Sequence, residues 1–364
     1  MEGFRVHVLG EDLDTVESFD PKALLAEAEA VPADGVVGTK DRSALLASLV
    51  ARSRRLPGPT PEALLACQHK PTSRALQAAI VPEATPKFAV LNGALPRFPP
   101  PYFVKPVVGR LSQDTRRVDD PDELEAVPGW DAYREGYAAI ATLAGFPRAE
   151  VAGYLAEELR RGMEVTLEGY VRNGRVTVIG VTDSVMYPGT NSFERFEYPS
   201  RLARSRQEEL EAIAQRVLPA LGFDGGFFNV EFVVPERAPV TLIEVNGRIA
   251  SQFAPLVHAV HGRSTYEALF ALACGEDPAW AVSEPRGVAI SYVLRRFQDA
   301  FVEGVPEPEE GVEILVRPGL RLSQQGTNDA QSYRLAILYE AAETRDEALA
   351  RCRERAAALS FRLR

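Results

Sequence analysis

The stretch Asp224–Pro255, DGGFFNVEFVVPERAPVTLIEVNGRIASQFAP, restricts the fold of this 364-residue chain more than any other. Two apolar runs rich in β-formers, Phe227–Val234 and Val240–Val245, flank a turn segment holding Pro235 and Pro239, the pattern of a β-hairpin. Side chains alternate along a strand, so Glu244 and Asn246 share one face while Ile243 and Val245 take the other. A turn centred near Arg237 sets Glu231 across from Glu244. Two carboxylates facing each other on a sheet repel, and a hard divalent cation between them reverses that sign. Carboxylate oxygens with an amide carbonyl suit Mg²⁺ or Mn²⁺, so Glu231, Glu244 and Asn246 are candidate metal ligands. Arg248, one strand step beyond Asn246, offers a fixed cation to a phosphate or carboxylate on the same face. The plainer alternative is a solvated hairpin face with scattered charges. It suits any single Glu better than it suits the four residues together.

NVEF followed by IEVNGR resembles the metal-binding end of the ATP-grasp superfamily. These are carboxylate–amine or carboxylate–thiol ligases that form an acyl phosphate from ATP, of the biotin carboxylase, D-alanine–D-alanine ligase and L-amino acid ligase kind. The resemblance implies an α/β fold with α+β lobes, the ATP-grasp fold, preceded by a short N-terminal α/β domain. It implies Mg²⁺ (or Mn²⁺) on Glu231, Glu244 and Asn246, with Arg248 as the catalytic cation on the transferred phosphate or the substrate carboxylate.

Upstream, PPYFVKPVVGRLS is an apolar strand, Tyr102–Val104, that delivers Lys105 to a loop. A point charge beside backbone N–H groups is a sensible phosphate site, and the Val-Lys-Pro pattern is shared with ATP-grasp enzymes, whose Lys contacts the α-phosphate and adenine side of ATP. The resemblance also places Lys70 on the nucleotide phosphates, although one Lys at a helix start is ordinarily a solvated charge. It places Glu157, Glu158 and Leu159 on the adenine edge, partly through the backbone, and Glu164 on the ribose hydroxyls. For Glu157 and Glu158 the alternative is an exposed helix end. The loop after Lys105 departs from the family's Gly- and Ser-rich pattern, offering Gly109 and Ser112 and then Gln113, Asp114, Arg116 and Arg117. Fewer glycines leave fewer backbone N–H groups able to approach phosphates closely.

Elsewhere the pattern predicts a small βαβα lobe: strand Phe4–Leu9, helix Pro21–Ala30, strand Gly35–Val37 and a helix from Asp41 to about Arg55. Thr60-Pro61 starts a helix, with Thr as N-cap and Pro first inside, and Thr72–Ala79 is a second. A helix over Asp131–Leu143 precedes a strand starting in Arg148–Ala152. Asn173-Gly174 joins strands Glu164–Val171 and Arg175–Val181. Asp183–Ser200 reads as a long aromatic loop whose Tyr187 and Arg195 could face a substrate. Gln207–Leu221 is a helix. Two further helices follow the hairpin, with His258 and His261 at i, i+3 and no third ligand nearby. Strands near Ala289–Leu294, Ile314–Val316 and Ser332–Tyr339 and a helix over Asp346–Ser360 close the chain. The expected divisions are 1–68, 69–157 and 158–364.

A formal charge of −10 argues against a nucleic-acid surface as the main business. Three cysteines without CxxC spacing, Cys67, Cys274 and Cys352, point to neither a disulfide framework nor a zinc site and suit a reducing cytoplasm. Neither a signal peptide nor a membrane segment is legible. The reading is an ATP- and Mg²⁺-dependent ligase joining a small-molecule carboxylate to an amine, with a homodimer one candidate assembly and no nucleic-acid or membrane partner. Two alternatives are a non-catalytic ATP binder that kept the fold, and a carboxylate kinase or other acyl-transferring ligase.

Overall fold

The computed structural model describes residues 4–9, 13, 19–110, 112–125, 131–281, 283–326, 328–329 and 331–364. Asn173 and Gly174 take φ angles of 53° and 73°, the two left-handed residues that a tight hairpin turn of type I′ requires. They fold Met163–Arg172 onto Arg175–Met186. On its other edge Met163–Arg172 pairs with Gly226–Val234, which pairs with Thr241–Asn246. Beyond Arg175–Met186 come Phe193–Tyr198, Val288–Arg296, Tyr333–Ala342 and Val312–Ile314, completing an antiparallel sheet of eight strands. The hairpin has the expected register, with Glu231 opposite Glu244 and Asn229 opposite Asn246. Immediately beyond, Phe232 stands opposite Leu242, so Ile243 is the extra residue of a β-bulge.

A second sheet of four strands runs in the order Phe88–Val90, Tyr154–Glu158, Tyr102–Pro106, Arg116–Val118. Thr60 caps the helix Pro61–Gln68 by accepting from the Ala63 N–H at 3.2 Å, and Asp131 caps Ala132–Leu143 through the Arg134 N–H. These helices, with Asp41–Arg54 and Lys70–Ile80, pack beside the large sheet; one contiguous core joins Leu45, Leu64, Tyr137 and Ile140 to Leu167, Phe228 and Phe232. Helix Arg204–Ala220 adds Leu210, Ile213 and Val217 from its apolar stripe. No described helix is long and apolar enough to cross a membrane.

Three local expectations change. Phe4–Leu9 and Gly35–Val37 form no ladder. Val6 and Val8 stay 47% and 82% exposed, with no neighbouring strand to cover them. A Cβ on Gly35 would stand 2.5 Å from the Ala273 carbonyl oxygen, so this segment lies against a helix backbone instead. Arg148–Val151 is a 3₁₀ turn after Pro147, and the strand starts at Tyr154 beyond Gly153, whose φ is +112°. Finally, the aromatic segment 183–200 is mostly strand: one ladder continues to Met186, and Phe193–Tyr198 lies inside the large sheet.

Candidate nucleotide and metal site

Strand Tyr102–Pro106 carries Lys105 beside the central strand Tyr154–Glu158, and helix Lys70–Ile80 crosses nearby with Lys70 and Arg74 one turn apart. Glu157 gathers this group: Arg74 Nε donates to its Oε1 at 2.7 Å and Lys105 Nζ lies 2.9 Å from its Oε2. All three are at most 5% exposed. Burial alone would raise the Glu157 carboxyl, but Arg74 and then Lys105 outweigh it and hold it at about 2. Burial draws Lys105 below the ordinary lysine value, against the pull of Glu157. Both cations also reach the carbonyl of Ile243, Arg74 through Nη2 and Lys105 at 3.5 Å.

The large sheet presents the opposite chemistry. Glu231 and Glu244 face each other across the hairpin. Burial, and then the charge of Glu244, push the Glu231 carboxyl up to about 7. Glu164 belongs to the same group: burial and the charges of Glu231 and Glu244 raise it to about 8. Glu244 goes the other way, because Lys70, whose Nζ is 2.9 Å from Oε1, and Lys105 hold it below the usual carboxylate range despite burial. Asn246 Nδ2 donates to Glu231 Oε1 at 3.2 Å. Arg248 donates through Nε to Asp41 Oδ1 at 2.7 Å and through Nη2 to Asn246 Oδ1 at 3.4 Å.

The ten residues expected on nucleotide, phosphate or metal all line one cavity of about 900 Å³: Lys70, Lys105, Glu157, Glu158, Leu159, Glu164, Glu231, Glu244, Asn246 and Arg248. Lys70 is 8% exposed and ion-paired, not a solvated charge, and Glu157 lies in a central strand, not on a helix end. The Glu158 and Leu159 N–H groups donate to the carbonyls of Lys87 and Pro101 at 2.9 and 3.4 Å. Phe103, Met163, Val185 and Leu242 give the cavity apolar wall. Tyr187 and Arg195 do not line it: Tyr187 donates to the Val293 carbonyl, and Arg195 is held by Glu194 and Glu197. His261 is occupied by Tyr198 and Ser283. Among the described residues no three His, Cys, Asp or Glu side chains gather into a ready metal cage. Two facing carboxylates and an amide nevertheless fit a hard divalent cation that keeps other ligands from nucleotide or water.

Arg74 and Asp41 also line the cavity and were not singled out. Arg74 had a legible signal, the i, i+4 spacing from Lys70 on one helix. Asp41 opens a helix that is 207 residues from Arg248 in sequence, and no local pattern marks it. The loop after Lys105 is tied down: Asp114 pairs with Arg134, Gln113 Nε2 donates to the Asn328 carbonyl at 3.1 Å, and Ser112 and Asp114 take φ of 52° and 56°.

Residues 98–255, which include both sheets' contributions to this cavity, match a family model described as the ATP-grasp domain. This segment is an ATP-grasp domain. The ATP-grasp fold extends over nearly the whole chain. L-amino acid ligase from Bacillus licheniformis superposes with a TM-score of 0.75 at 19% identity, over 95% of this chain and 85% of that one. Phosphoribosylglycinamide synthetase from Anaerococcus prevotii gives 0.66 at 15% identity, over 98% and 88%. The biotin carboxylase domain dimer of Hydrogenobacter thermophilus 2-oxoglutarate carboxylase, solved with MgADP and bicarbonate, gives 0.67 at 15% identity, over 94% and 78%. By sequence, the uncharacterized protein y4rH of Sinorhizobium fredii is 28% identical over 294 residues, 76% of this chain, and the match spans 58% of that protein's length.

Proposed function

We propose that this ATP-grasp chain is an ATP- and Mg²⁺-dependent (or Mn²⁺-dependent) ligase that activates a small-molecule carboxylate as its acyl phosphate and joins it to an amine. The observation that carries this reading is the opposition of Glu231 and Glu244 in a cavity that also receives Lys70, Lys105 and Arg248. In this reading Glu231, Glu244 and Asn246 hold the cation, which neutralises phosphate charge when bound. Lys70 and Lys105 sit on the nucleotide phosphates, Glu157, Glu158 and Leu159 on the adenine side, and Glu164 on the ribose. Arg248, steadied by Asp41, faces the transferred phosphate or the acid.

A carboxylate oxygen attacks the γ-phosphorus and the bond to the ADP oxygen breaks. The amine nitrogen then adds to the acyl carbon, and phosphate leaves with the C–O electron pair as nitrogen loses a proton. The chain's part is positioning and charge neutralisation, the main demands of phosphoryl transfer. Residues 1–68, 69–157 and 158–364 are the units we assign to the N-terminal domain, the small lobe with its linker, and the large lobe.

The test is ADP and phosphate release from MgATP across amino acids and small carboxylic acids, singly and in pairs. Release that requires an acid and an amine together supports the ligase. Release with an acid and hydroxylamine alone reports the acyl phosphate and leaves the acceptor to be found. The pinned, glycine-poor loop after Lys105 favours a second reading, nucleotide binding without turnover, and ATP binding with no release in any mixture supports that one.

A further inference from the structure

The face of the large sheet that meets the cavity carries two lateral rows of polar residues. In one, Thr166, Glu231 and Glu244 stand opposite one another on three neighbouring strands; in the next, Glu168, Asn229 and Asn246 do the same. The first row reaches the cavity through its two carboxylates. Of the second row only Asn246 lines it, and Glu168 and Asn229 are 5% and 3% exposed behind it.

The second row has a direction. Glu168 Oε1 accepts from the Ala250 N–H at 3.3 Å, and Asn229 stands directly opposite Glu168 in the ladder. With its NH₂ turned to Glu168, Asn229 presents its Oδ1 to Asn246 Nδ2 at 3.3 Å. Asn246 then has its own Oδ1 on the side of Arg248, at 3.4 Å from Nη2. Flipping the Asn246 amide would set oxygen against the oxygens of Asn229 and Glu231, and NH₂ against a guanidinium. Glu231 and Arg248 also orient this amide, but both line the cavity and are assigned to ligands. Glu168 and Asn229 touch nothing in the cavity, so their hold is independent of what binds there.

We propose that Glu168 and Asn229 are positioning residues that, acting in series across the sheet, hold the Asn246 amide with its NH₂ on Asn229 and Glu231, leaving its oxygen, on the Arg248 side, as the atom it offers a cation. The proposal rests on the reading of Glu231, Glu244 and Asn246 as metal ligands. Outer partners of this kind typically change metal affinity about 10- to 100-fold when lost.

The experiment measures bound Mn²⁺ by electron paramagnetic resonance, with a non-hydrolysable ATP analogue present and the analogue alone as blank. Glu168→Gln keeps shape and volume and, above about pH 8 where Glu168 is ionised and the assay is run, replaces one acceptor oxygen with a donor. It therefore turns Asn229 around, which sets NH₂ against the Asn246 NH₂ and loosens that amide's hold. We expect Mn²⁺ to bind about tenfold more weakly or worse. Adding Asn246→Asp to Glu168→Gln should restore binding, because a carboxylate offers oxygen in either orientation; a merely structural role for Glu168 gives no such rescue. Asn229→Ala, read the same way, serves as the second variant should Glu168→Gln fail to fold by circular dichroism. Undiminished Mn²⁺ affinity in folded Glu168→Gln or Asn229→Ala, with affinity lost in Asn246→Ala, overturns the series and leaves the metal reading standing. No Mn²⁺ beyond the blank in the unsubstituted protein overturns the metal reading, and the series with it.

Discussion

On the small sheet a buried Glu157 meets two cations, Arg74 and Lys105; on the large sheet a half-buried Glu231 meets another carboxylate, Glu244. Both clusters open on one cavity. The first is complete as it stands, since its carboxylate is fully partnered and held at about 2. The second is not, since two acids in the same group, Glu231 and Glu164, are driven up to about 7 and 8. Facing carboxylates in a half-buried cleft that cost free energy without a cation mark where a ligand's charge is expected. The comparison separates a cluster whose charges already balance within the protein from one that needs a cation to balance it.

Four substitutions or conditions test that separation. Glu244→Gln removes an acid from the large-sheet cluster and should cost several kcal/mol of transition-state stabilisation, about a thousandfold in Mg²⁺-dependent turnover; because it also takes the anion from Lys70, the melting temperature should fall. Unchanged turnover removes the metal assignment. Glu157→Gln instead leaves Arg74 and Lys105 without their anion and should destabilise the fold by about 3 kcal/mol, read from urea unfolding. A stability equal to that of the unsubstituted protein would show that the small-sheet cluster is not structural. Lys105→Ala keeps the Arg74 pair and should weaken nucleotide binding about tenfold, the loss of one charge-assisted contact; an unaltered affinity by calorimetry counts against Lys105 on the phosphates.

The pH dependence tests the two clusters against each other, because their signs differ. Glu231, Glu164 and Glu168 hold protons more tightly folded than unfolded, so their contribution is fully present below the ordinary carboxylate value. It is lost as pH rises through about 7 to 8. Glu157 has the opposite sign, adding stability above the ordinary value and losing it as pH falls toward about 2. Without metal, the melting temperature should therefore decline from about pH 5 to about pH 8, and Mg²⁺ with an ATP analogue should flatten that decline. A flat curve without metal would mean that the large-sheet acids are not perturbed.

The large-sheet cluster was legible because it lies within one hairpin: two apolar runs and two turn prolines set the register, and the register sets Glu231 against Glu244. Lys105 was legible from the strand that delivers it. The partners were not. Glu157 and Arg74 are 83 residues apart, and Asp41 reaches Arg248 only through tertiary packing. Phe193–Tyr198 was mistaken for loop because Glu194, Arg195 and Glu197 look solvated, whereas they satisfy one another and Arg345 within the sheet. The absent N-terminal ladder has the same origin, since propensity supplies a strand but not the neighbour it must pair with.

The bulge at Ile243 has a consequence for how this site can change through mutation. A residue left over in a ladder carries a carbonyl that need not serve the sheet, and here that carbonyl receives both Arg74 and Lys105. The main chain thus supplies the acidic half's end of this tie, beside the side-chain ion pair of Lys70 with Glu244. No single side-chain replacement at position 243 deletes the acceptor. The acceptor is displaced only when an insertion or deletion shifts the hairpin, and such a shift also carries Glu244 off its face. Drift in sequence can therefore wear away the donors Arg74 and Lys105 one at a time, while the acceptor that meets them is lost only with the hairpin's register.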